Sequence, residues 1–149
     1  MGVRPLPGSA ILEIILKNRP EEKRRLLAAL ESFAGAHELP KAVFRAADLV
    51  LEEHLTNVMS YAYDDQQEHE IRVRLEASAS QLVIEVEDDG KAFDPTQAPE
   101  VDTSLPLDQR PIGGLGIHFI RRCMDEARYQ RRANRNILRM IKRLPAPAP

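Results

Sequence analysis

The stretch EIRVRLEASASQLVIEVED, residues 70–88, carries the clearest structural pattern in this sequence. Apolar and polar residues alternate with a period of two on both sides of the short segment SAS, residues 78–80. Such alternation is typical of strands with one buried face and one solvated face, and the small residues between the two runs favour a hairpin. The pattern therefore predicts two neighbouring antiparallel strands of a sheet.

Helices and a further strand are predicted upstream of this hairpin. AILEIILKN, residues 10–18, is rich in isoleucine and leucine and predicts a short buried strand. Pro20 suits a helix start, and apolar residues at helical spacing continue to Gly35. Pro40 opens the longest predicted helix, residues 41–63, whose core stripe comprises Val43, Ala47, Leu51, Leu55, Val58 and Ala62.

Downstream of the hairpin, residues 93–112 contain four prolines and no periodicity, which predicts a long loop. We expect a helix at residues 117–127 and a closing hairpin formed by residues 128–132 and 136–144. Elements of both kinds thus follow one another along the chain, which indicates an α/β fold.

The composition is that of one globular domain. A chain of 149 residues with 43% hydrophobic residues can bury a core, and we expect one domain over 1–149 with flexible ends at about 1–9 and 145–149. The net charge of −2 does not favour nucleic acid as a direct partner. Cys123 is the single cysteine, which favours a reducing compartment, and we expect a cytoplasmic protein. No apolar run suggests a signal peptide or a membrane anchor.

Two acidic stretches suggest chemistry. Glu53 and Asn57 are four residues apart in the long predicted helix and therefore project from one face, where they could supply a general base and an oxygen ligand for magnesium. The alternative is a surface pair beside Glu52 and Thr56. In VEDDGKAFDP, residues 86–95, a strand runs into Asp88 and Gly90, where a carboxylate could accept from the amine of a base. Taken alone, this stretch is also typical of an acidic turn.

Three glycines crowd into four positions before the third predicted helix. Gly113, Gly114 and Gly116 offer backbone donors at a positive helix end, which suits a phosphate chain, and Arg110 could add a charged contact. A flexible hinge with a helix cap is the alternative. The lysine of a Walker-type loop is missing, so a nucleotide would need a different cradle.

Together and in this order, the three stretches resemble the ATP-binding fold shared by histidine kinases and gyrase-type ATPases, the GHKL superfamily or Bergerat fold. LEEHLTNVMSYAY, residues 51–63, resembles the N box of its anti-sigma-factor serine-protein kinase branch. VEDDGKAFDP resembles the first glycine box, and RPIGGLGIHFIRRCMDEARY, residues 110–129, resembles the second glycine box with its following signature. The resemblance implies an α/β two-layer sandwich with a mixed, mainly antiparallel sheet and helices on one face.

The same resemblance implies roles for individual residues. Glu53 would be the base that takes the proton of a substrate serine, and Asn57 would ligate Mg²⁺. Asp88 would bind the adenine amine, with Gly90 beside the base. Gly113, Gly114 and Gly116 would lie along the phosphates of ATP. Relatives often place an arginine near the γ-phosphate, but Arg110 lies further upstream than that position.

The implied function is an ATP-dependent serine/threonine protein kinase that acts by partner switching. It would phosphorylate a small anti-sigma-antagonist (STAS) domain and would alternately bind a sigma factor or another regulatory target, and homodimers are frequent among such relatives. An alternative is a nucleotide-dependent binding module that sequesters its partner without kinase activity. Glu53 argues against that alternative, and the displaced Arg110 argues for it. A histidine kinase catalytic domain is disfavoured, because no phosphoacceptor helix precedes the domain.

Overall fold

The computed structural model of the protein describes residues 9–97, 104, 106 and 114–145, with the side chains of 114–117 left out. The predicted flexible ends fall almost entirely outside these residues. The described elements are β1 (Ala10–Lys17), α1 (Glu22–Ala36), α2 (Lys41–Tyr61), β2 (Glu70–Ala77), β3 (Gln81–Asp88), a 3₁₀ turn (Pro95–Gln97), α3 (Gly114–Cys123), β4 (Glu126–Arg132) and β5 (Arg135–Arg143).

The predicted hairpin of β2 and β3 is confirmed and lies at the centre of a sheet with strand order β1-β2-β3-β5-β4. Its register pairs Val73 with Val86 and Leu75 with Ile84, so the apolar side chains of both strands lie on one face. At the turn, the backbone N–H of Ser78 donates to the carbonyl of Gln81 at 2.9 Å. The alternation of residues 70–88 therefore corresponds to one buried face and one solvated face of the sheet.

Every described strand pair is antiparallel, whereas the family resemblance implied a mixed sheet. The reason lies in the position of β5. A crossover through α3 makes β4 run in the same direction as β3, but β5 lies between them and pairs antiparallel with both. The two co-directional strands consequently form no ladder with each other.

The helices cover only the apolar face of this sheet, which confirms the two-layer α/β sandwich. The packed interfaces join α1 to β1, α2 to β3 and α3 to β4, and α2 also contacts both other helices. The largest fully buried side chains come from both layers: Leu16, Leu30, Leu51, Leu55, Ile71, Leu75, Leu82, Ile84, Leu138 and Met140. Within the described residues, no helix has both the length and the apolar character needed to cross a membrane.

The opposite face of the sheet carries charged side chains in cross-strand pairs. Arg72 on β2 lies 2.9 Å from Glu13 on β1 and 3.6 Å from Glu87 on β3. Arg135 on β5 lies 3.3 Å from the same Glu87. Partly exposed pairs of this kind contribute little stability each, but they keep this face polar and so direct the helices to the other side.

The third helix differs from the prediction at both ends, because α3 begins at Gly114 and ends at Cys123 instead of spanning 117–127. The segment after it joins the sheet. The backbone N–H of Asp125 donates to the carbonyl of Ile141 at 2.8 Å, and Glu126 is paired with Ile141 in the β4–β5 register. Pairing with β5 therefore overrides the local helix preference of residues 124–127.

Part of the predicted loop at 93–112 is described, and it contains one short ordered turn. Asp94 Oδ1 accepts hydrogen bonds from the backbone N–H of Thr96 at 2.8 Å and from its hydroxyl at 2.6 Å. They cap the 3₁₀ turn Pro95–Gln97, whose own bond runs from the backbone N–H of Gln97 to the Asp94 carbonyl at 3.3 Å, and in which Pro95 is buried. Of the remaining predicted loop, only residues 104 and 106 are described.

The connection from α2 to β2 is tied to the end of β3 through His69. Its Nε2 lies 2.7 Å from Asp65, its Nδ1 lies 3.1 Å from Asp89, and its ring stacks on Tyr63 with centroids 4.2 Å apart. Partial burial acts to lower the pKa of His69, but the hydrogen bonds to Asp65 and Asp89 outweigh it and hold the pKa above its usual value. Both ring nitrogens can donate only in the imidazolium form, which therefore fits this site best.

We predict that His69→Phe lowers stability in acid more than in alkali. The phenyl ring keeps the stacking on Tyr63 but removes both donors. Because folding raises the His69 pKa, its stabilising contribution is complete below an unfolded pKa of about 6.5 and is lost as pH rises through the folded value. Urea unfolding of wild type and variant at several pH values measures this. A stability difference that stays constant with pH would contradict the prediction, and His37→Phe, at an exposed position, is the control.

Candidate functional site

A cavity of about 270 Å³ lies between α2 and the sheet. Four residues of α2 and the residue directly after it line this cavity: His54, Asn57, Val58, Tyr61 and Ala62. Their spacing of three, four, seven and eight residues from His54 places them on one face of the helix. The volume lies just below the range of small-molecule pockets, and the apolar wall with few polar groups is typical of such sites.

The opposite wall comes from the sheet, where register brings residues from three strands into one row. Asp88 on β3 pairs with Asn136 on β5, and Asn136 pairs with Arg131 on β4. Leu138 and Tyr129, a β5–β4 pair two positions further along and on the same face, also line the cavity. The order of strands therefore brings together side chains that lie up to 48 positions apart in the sequence.

Gly90 follows Asp88 at the point where the turn after β3 meets the end of α2. A Cβ atom at this position would lie 2.4 Å from Ala62 Cβ and 2.9 Å from the Ala62 carbonyl oxygen. The backbone N–H of Lys91 also donates to that carbonyl, at 2.9 Å. A side chain at position 90 would therefore push the turn away from α2 and widen the cavity next to Asp88.

Asp88 is a buried carboxylate, only 3% exposed. Its Oδ1 accepts from the backbone N–H of Gly90 and from Asn136 Nδ2, each at 2.9 Å. Burial raises the pKa of Asp88, and the neighbouring charge of Asp89 adds to this, whereas the hydrogen bonds from Asn136 and Gly90 and the charge of Arg131 act to lower it. Among the described residues no hydrogen bond goes to Oδ2, which leaves this residue of the cavity wall with an available acceptor.

Asn57 and Glu53 lie one helical turn apart on α2, but only Asn57 is among the described residues that line the cavity. Glu53 is half-buried next to it. The residues directly before Glu53 and before Asn57 form a surface cluster with Lys23 on α1. Lys23 Nζ lies 2.8 Å from Glu52 and 2.9 Å from the hydroxyl of Thr56. Glu53 thus flanks the cavity and takes no part in that cluster.

His54 is a buried histidine in the cavity wall, 5% exposed. Burial lowers its pKa to about 4, so the imidazole is neutral at neutral pH. Its Nδ1 is buried without a hydrogen-bond partner among the described residues. The side chain therefore forms part of the packed wall of the cavity.

The glycine-rich stretch is only partly described. Gly114 and Gly116 lie in the first turn of α3, so that this part of the predicted run belongs to the helix and does not precede it. Gly113 and Arg110 lie outside the described residues, and their predicted roles stay predictions. Since the first backbone N–H groups of a helix lack partners within it, the start of α3 retains donors suited to an anion.

Sequence reasoning missed three residues of the site: Asn136, Tyr129 and Arg131. The sequence did carry a signal for Asn136. It alternates at period two with Leu138 and Met140, which places a carboxamide on the buried face of the strand, where a polar side chain is unusual. Tyr129 and Arg131 carried no comparable signal, because their part in the site depends on which strand lies next to β5. Two exposed aromatic rings at the cavity, Tyr61 and Phe93, complete its apolar lining.

Comparison with known proteins identifies relatives of this chain. It is 32% identical over 90 residues to the serine/threonine-protein kinase BtrW of Bordetella bronchiseptica, which covers 60% of this chain and 63% of that protein. It is 31% identical over 86 residues to the serine-protein kinase RsbW of Bacillus velezensis, covering 55% of this chain and 54% of that protein. RsbW of Bacillus subtilis is similar at 30% identity over 86 residues. The chain thus matches between about half and under two thirds of the length of these relatives.

The fold has a counterpart among solved structures. The crystal structure of the RsbU and RsbW domains of Rv1364c from Mycobacterium tuberculosis matches with a TM-score of 0.64 at 16% identity, over 92% of this chain and 34% of that one. The family described as histidine kinase-like ATPase domain matches residues 16–142. These findings confirm the resemblance that the three motifs indicated. The chain belongs to the family of histidine kinase-like ATPase domains.

Proposed function

We propose that the protein is an ATP-dependent serine/threonine protein kinase that regulates a partner by phosphorylation. The observation that carries this proposal is the placement of two side chains on facing walls of one cavity, with a third beside it. Asn57 lies in the helical wall, the acceptor Asp88 lies in the facing sheet wall, and Glu53 stands one turn from Asn57 at the cavity's flank. A nucleotide held by the first two would have a carboxylate next to its phosphates.

The cavity suits a purine with an amino group. Oδ2 of Asp88 is available as an acceptor, while the apolar side chains Val58, Tyr61, Phe93 and Leu138 offer contacts to the flat faces of a base. An apolar pocket alone cannot select an amine, whereas a carboxylate oxygen can, because it accepts a hydrogen bond from an amine and has none to donate to an oxo group. This supports adenine as the base and ATP as the nucleotide.

Asn57 fits the role of a magnesium ligand. Mg²⁺ favours oxygen ligands and is commonly bound by one or two protein groups together with phosphates and water. In residues 9–97 and the other described parts, no three His, Cys, Asp or Glu side chains gather into a metal cage, and a nucleotide-bound ion needs none. When bound, Mg²⁺ would neutralise phosphate charge, and Asn57 and the start of α3 would hold the chain of phosphates from two sides.

Glu53 is proposed as the general base. Glu53 lies beside the cavity and is not part of its lining. This position suits a group that contacts the hydroxyl of a protein substrate, while the cavity itself holds the nucleotide. Phosphoryl transfer depends mainly on positioning and charge stabilisation. The protein therefore needs to supply little beyond a carboxylate that orients the attacking hydroxyl and accepts its proton. Its place on a long packed helix keeps its position relative to Asn57 constant.

The proposed partner is a small anti-sigma-antagonist (STAS) protein, with a sigma factor or another regulatory protein as the alternate target. This part of the proposal rests on the similarity to RsbW, a serine-protein kinase, and on the three motifs. We propose a cytoplasmic protein, since sigma factors act there, and self-association as in related regulators. Phosphorylation of the antagonist would release it and free the kinase for its other target.

A nucleotide-dependent binding module remains the second candidate. Glu53 is not in contact with the cavity, which is the arrangement expected if this carboxylate has no part in chemistry. Such a module would use Asn57, Asp88 and the start of α3 to bind the nucleotide and would change its affinity for a partner without transferring a phosphoryl group. The two candidates differ in what Glu53 does.

We predict that ATP binding depends on magnesium through Asn57. Calorimetric titration of the wild type should give at least roughly tenfold tighter ATP binding with Mg²⁺ than with EDTA, because the metal offsets phosphate charge. Asn57→Leu should lose most of this difference, whereas Thr56→Val, one residue away in the surface cluster, should keep it. Equal ATP affinity of the wild type in Mg²⁺ and in EDTA would remove the metal role of Asn57.

We predict that Asp88→Asn weakens ATP binding more than GTP binding. The carboxamide retains an oxygen for the donors of Gly90 and Asn136 but presents an N–H₂ group where Oδ2 stood, and this group repels the adenine amine. The loss for ATP should be roughly tenfold or more. Glu85→Gln, which replaces a carboxylate of the same strand on the opposite face of the sheet, is the matched control. If both nucleotides lose affinity equally, Asp88 supports the fold and does not select the base.

We predict that Glu53→Gln separates binding from chemistry. Gln keeps the volume of the side chain but loses basicity, so ATP and partner affinities should persist while phosphoryl transfer falls by roughly 10²- to 10⁴-fold. The measurement is single-turnover transfer from ATP to the cognate antagonist domain, beside binding titrations of both variants. Glu52→Gln, which alters only the pair with Lys23, is the control.

The outcomes of this experiment distinguish the two candidates. Undiminished transfer by Glu53→Gln would contradict the base assignment and leave the kinase proposal in place. Absence of transfer by the wild type, with ATP-dependent binding of the partner, would favour the binding module. Loss of ATP binding by the variant would indicate a structural role for Glu53.

A further inference from the structure

Asn136 uses all of its polar groups inside the site. It is 6% exposed. Its Oδ1 accepts from the hydroxyl of Tyr129 and, at 2.9 Å, from Arg131 Nη1. Its Nδ2 donates to Asp88 Oδ1 at 2.9 Å and to the carbonyl of Lys91 at 2.8 Å. The carbonyl of Gly90 also accepts from Nδ2, at 3.4 Å. Because only donors meet the oxygen end and only acceptors meet the nitrogen end, one orientation of the carboxamide alone satisfies the network.

This orientation determines which oxygen of Asp88 remains available. Oδ1 receives two donors, from Asn136 and from the backbone of Gly90. Both bonds end on the same oxygen of this cavity-lining carboxylate, and Oδ2 is the oxygen that receives no hydrogen bond from the described residues. Two further bonds hold the turn that contains the backbone N–H of Gly90. Asn136 donates to the Lys91 carbonyl, and Arg131 Nη1 donates to the Gly90 carbonyl at 3.0 Å.

The same network opposes protonation of Asp88. Burial raises the pKa of this carboxyl. The titratable and charged groups that face it come from three parts of the chain: Asp89 in the same turn, Arg131 and Tyr129 on β4, and Tyr63 and the neutral His54 on the α2 side. The donors of Asn136 and Gly90 and the positive charge of Arg131 stabilise the ionised form. An ionised carboxylate only accepts hydrogen bonds, whereas a protonated one can also donate.

Purines differ in the group that would meet Oδ2. Adenine carries an amine there, which donates, and guanine carries an oxo group, which accepts. An ionised Asp88 attracts the first and repels the second, whereas a protonated Asp88 could donate to the oxo group. We propose that Asn136 is a specificity-determining residue, which holds Asp88 as a pure acceptor and thereby selects an amino-bearing purine over an oxo-bearing one. This inference rests on the proposed binding of a purine nucleotide.

The test is Asn136→Leu, which keeps the approximate volume and removes every hydrogen bond of the carboxamide. Dissociation constants for Mg·ATP and Mg·GTP are measured by calorimetry at several pH values. The ratio of ATP to GTP affinity should fall by roughly tenfold or more. Without its donor the pKa of Asp88 rises, so the variant should lose ATP affinity at a higher pH than the wild type as pH is lowered.

Arg131→Gln provides a second variant for the case that Asn136→Leu does not fold. Arg131 is exposed, so its replacement leaves the core intact, but it removes the positive charge near Asp88. We expect a smaller shift in the same direction, both in selectivity and in the pH at which ATP affinity is lost. Arg132→Gln, also exposed, is the matched control. Titration of the Asp88 carboxyl by NMR in protein without nucleotide measures the change in protonation directly.

Each outcome either supports the inference or overturns it. Reduced selectivity together with a raised Asp88 titration point supports it. Equal weakening of ATP and GTP, with an unchanged titration point, would show that Asn136 only supports the fold. Wild-type protein that binds neither nucleotide would overturn both this inference and the proposed function, whereas selective ATP binding without phosphoryl transfer would overturn only the kinase proposal.

Discussion

The buried carboxylate of Asp88 imposes the constraint on which this structure depends. A charged group that is 3% exposed is stable only with hydrogen-bond donors around it. One donor comes from the turn at Gly90, which is possible because this turn packs closely on Ala62. The other comes from Asn136, which is possible because β5 lies between β3 and β4. Strand order, turn geometry and the end of α2 are therefore all linked to one side chain.

Helix α2 belongs to the core and to the site at the same time. Leu51 and Leu55 are fully buried, while the face that carries Asn57, Val58 and Tyr61 forms the cavity wall. Since α2 contacts both other helices and the central strand β3, its side chains have little freedom to shift relative to the sheet. A ligand held between Asn57 and Asp88 would therefore be held between two packed elements, and preorganised positioning of this kind is what phosphoryl transfer requires.

The proposed kinase and the proposed selection of adenine use different parts of this arrangement. Base selection depends on the row Asp88, Asn136 and Arg131, at the sheet end of the cavity. Chemistry would depend on Glu53 and Asn57, one turn apart on the helix. Because the two sets share no residue, base selection and phosphoryl transfer can be changed separately, and a protein with the same fold could retain one without the other.

The amino-acid sequence by itself determined the elements whose patterns are local. The alternation in residues 70–88 specified the central hairpin, and the proline at position 40 with a helical apolar stripe specified α2. The order of three short motifs was enough to indicate the ATPase-domain family, and it pointed to Asn57 and Asp88, which the fold brings to one cavity. Only the tertiary structure decided the rest. Residues 124–127 have a local preference for helix, but β5 offers backbone partners that convert Glu126 and Ala127 to strand. The roles of Asn136, Tyr129 and Arg131 follow from the position of β5 between β3 and β4. No local sequence pattern predicts this position, because strand order depends on contacts between segments that are distant in the chain.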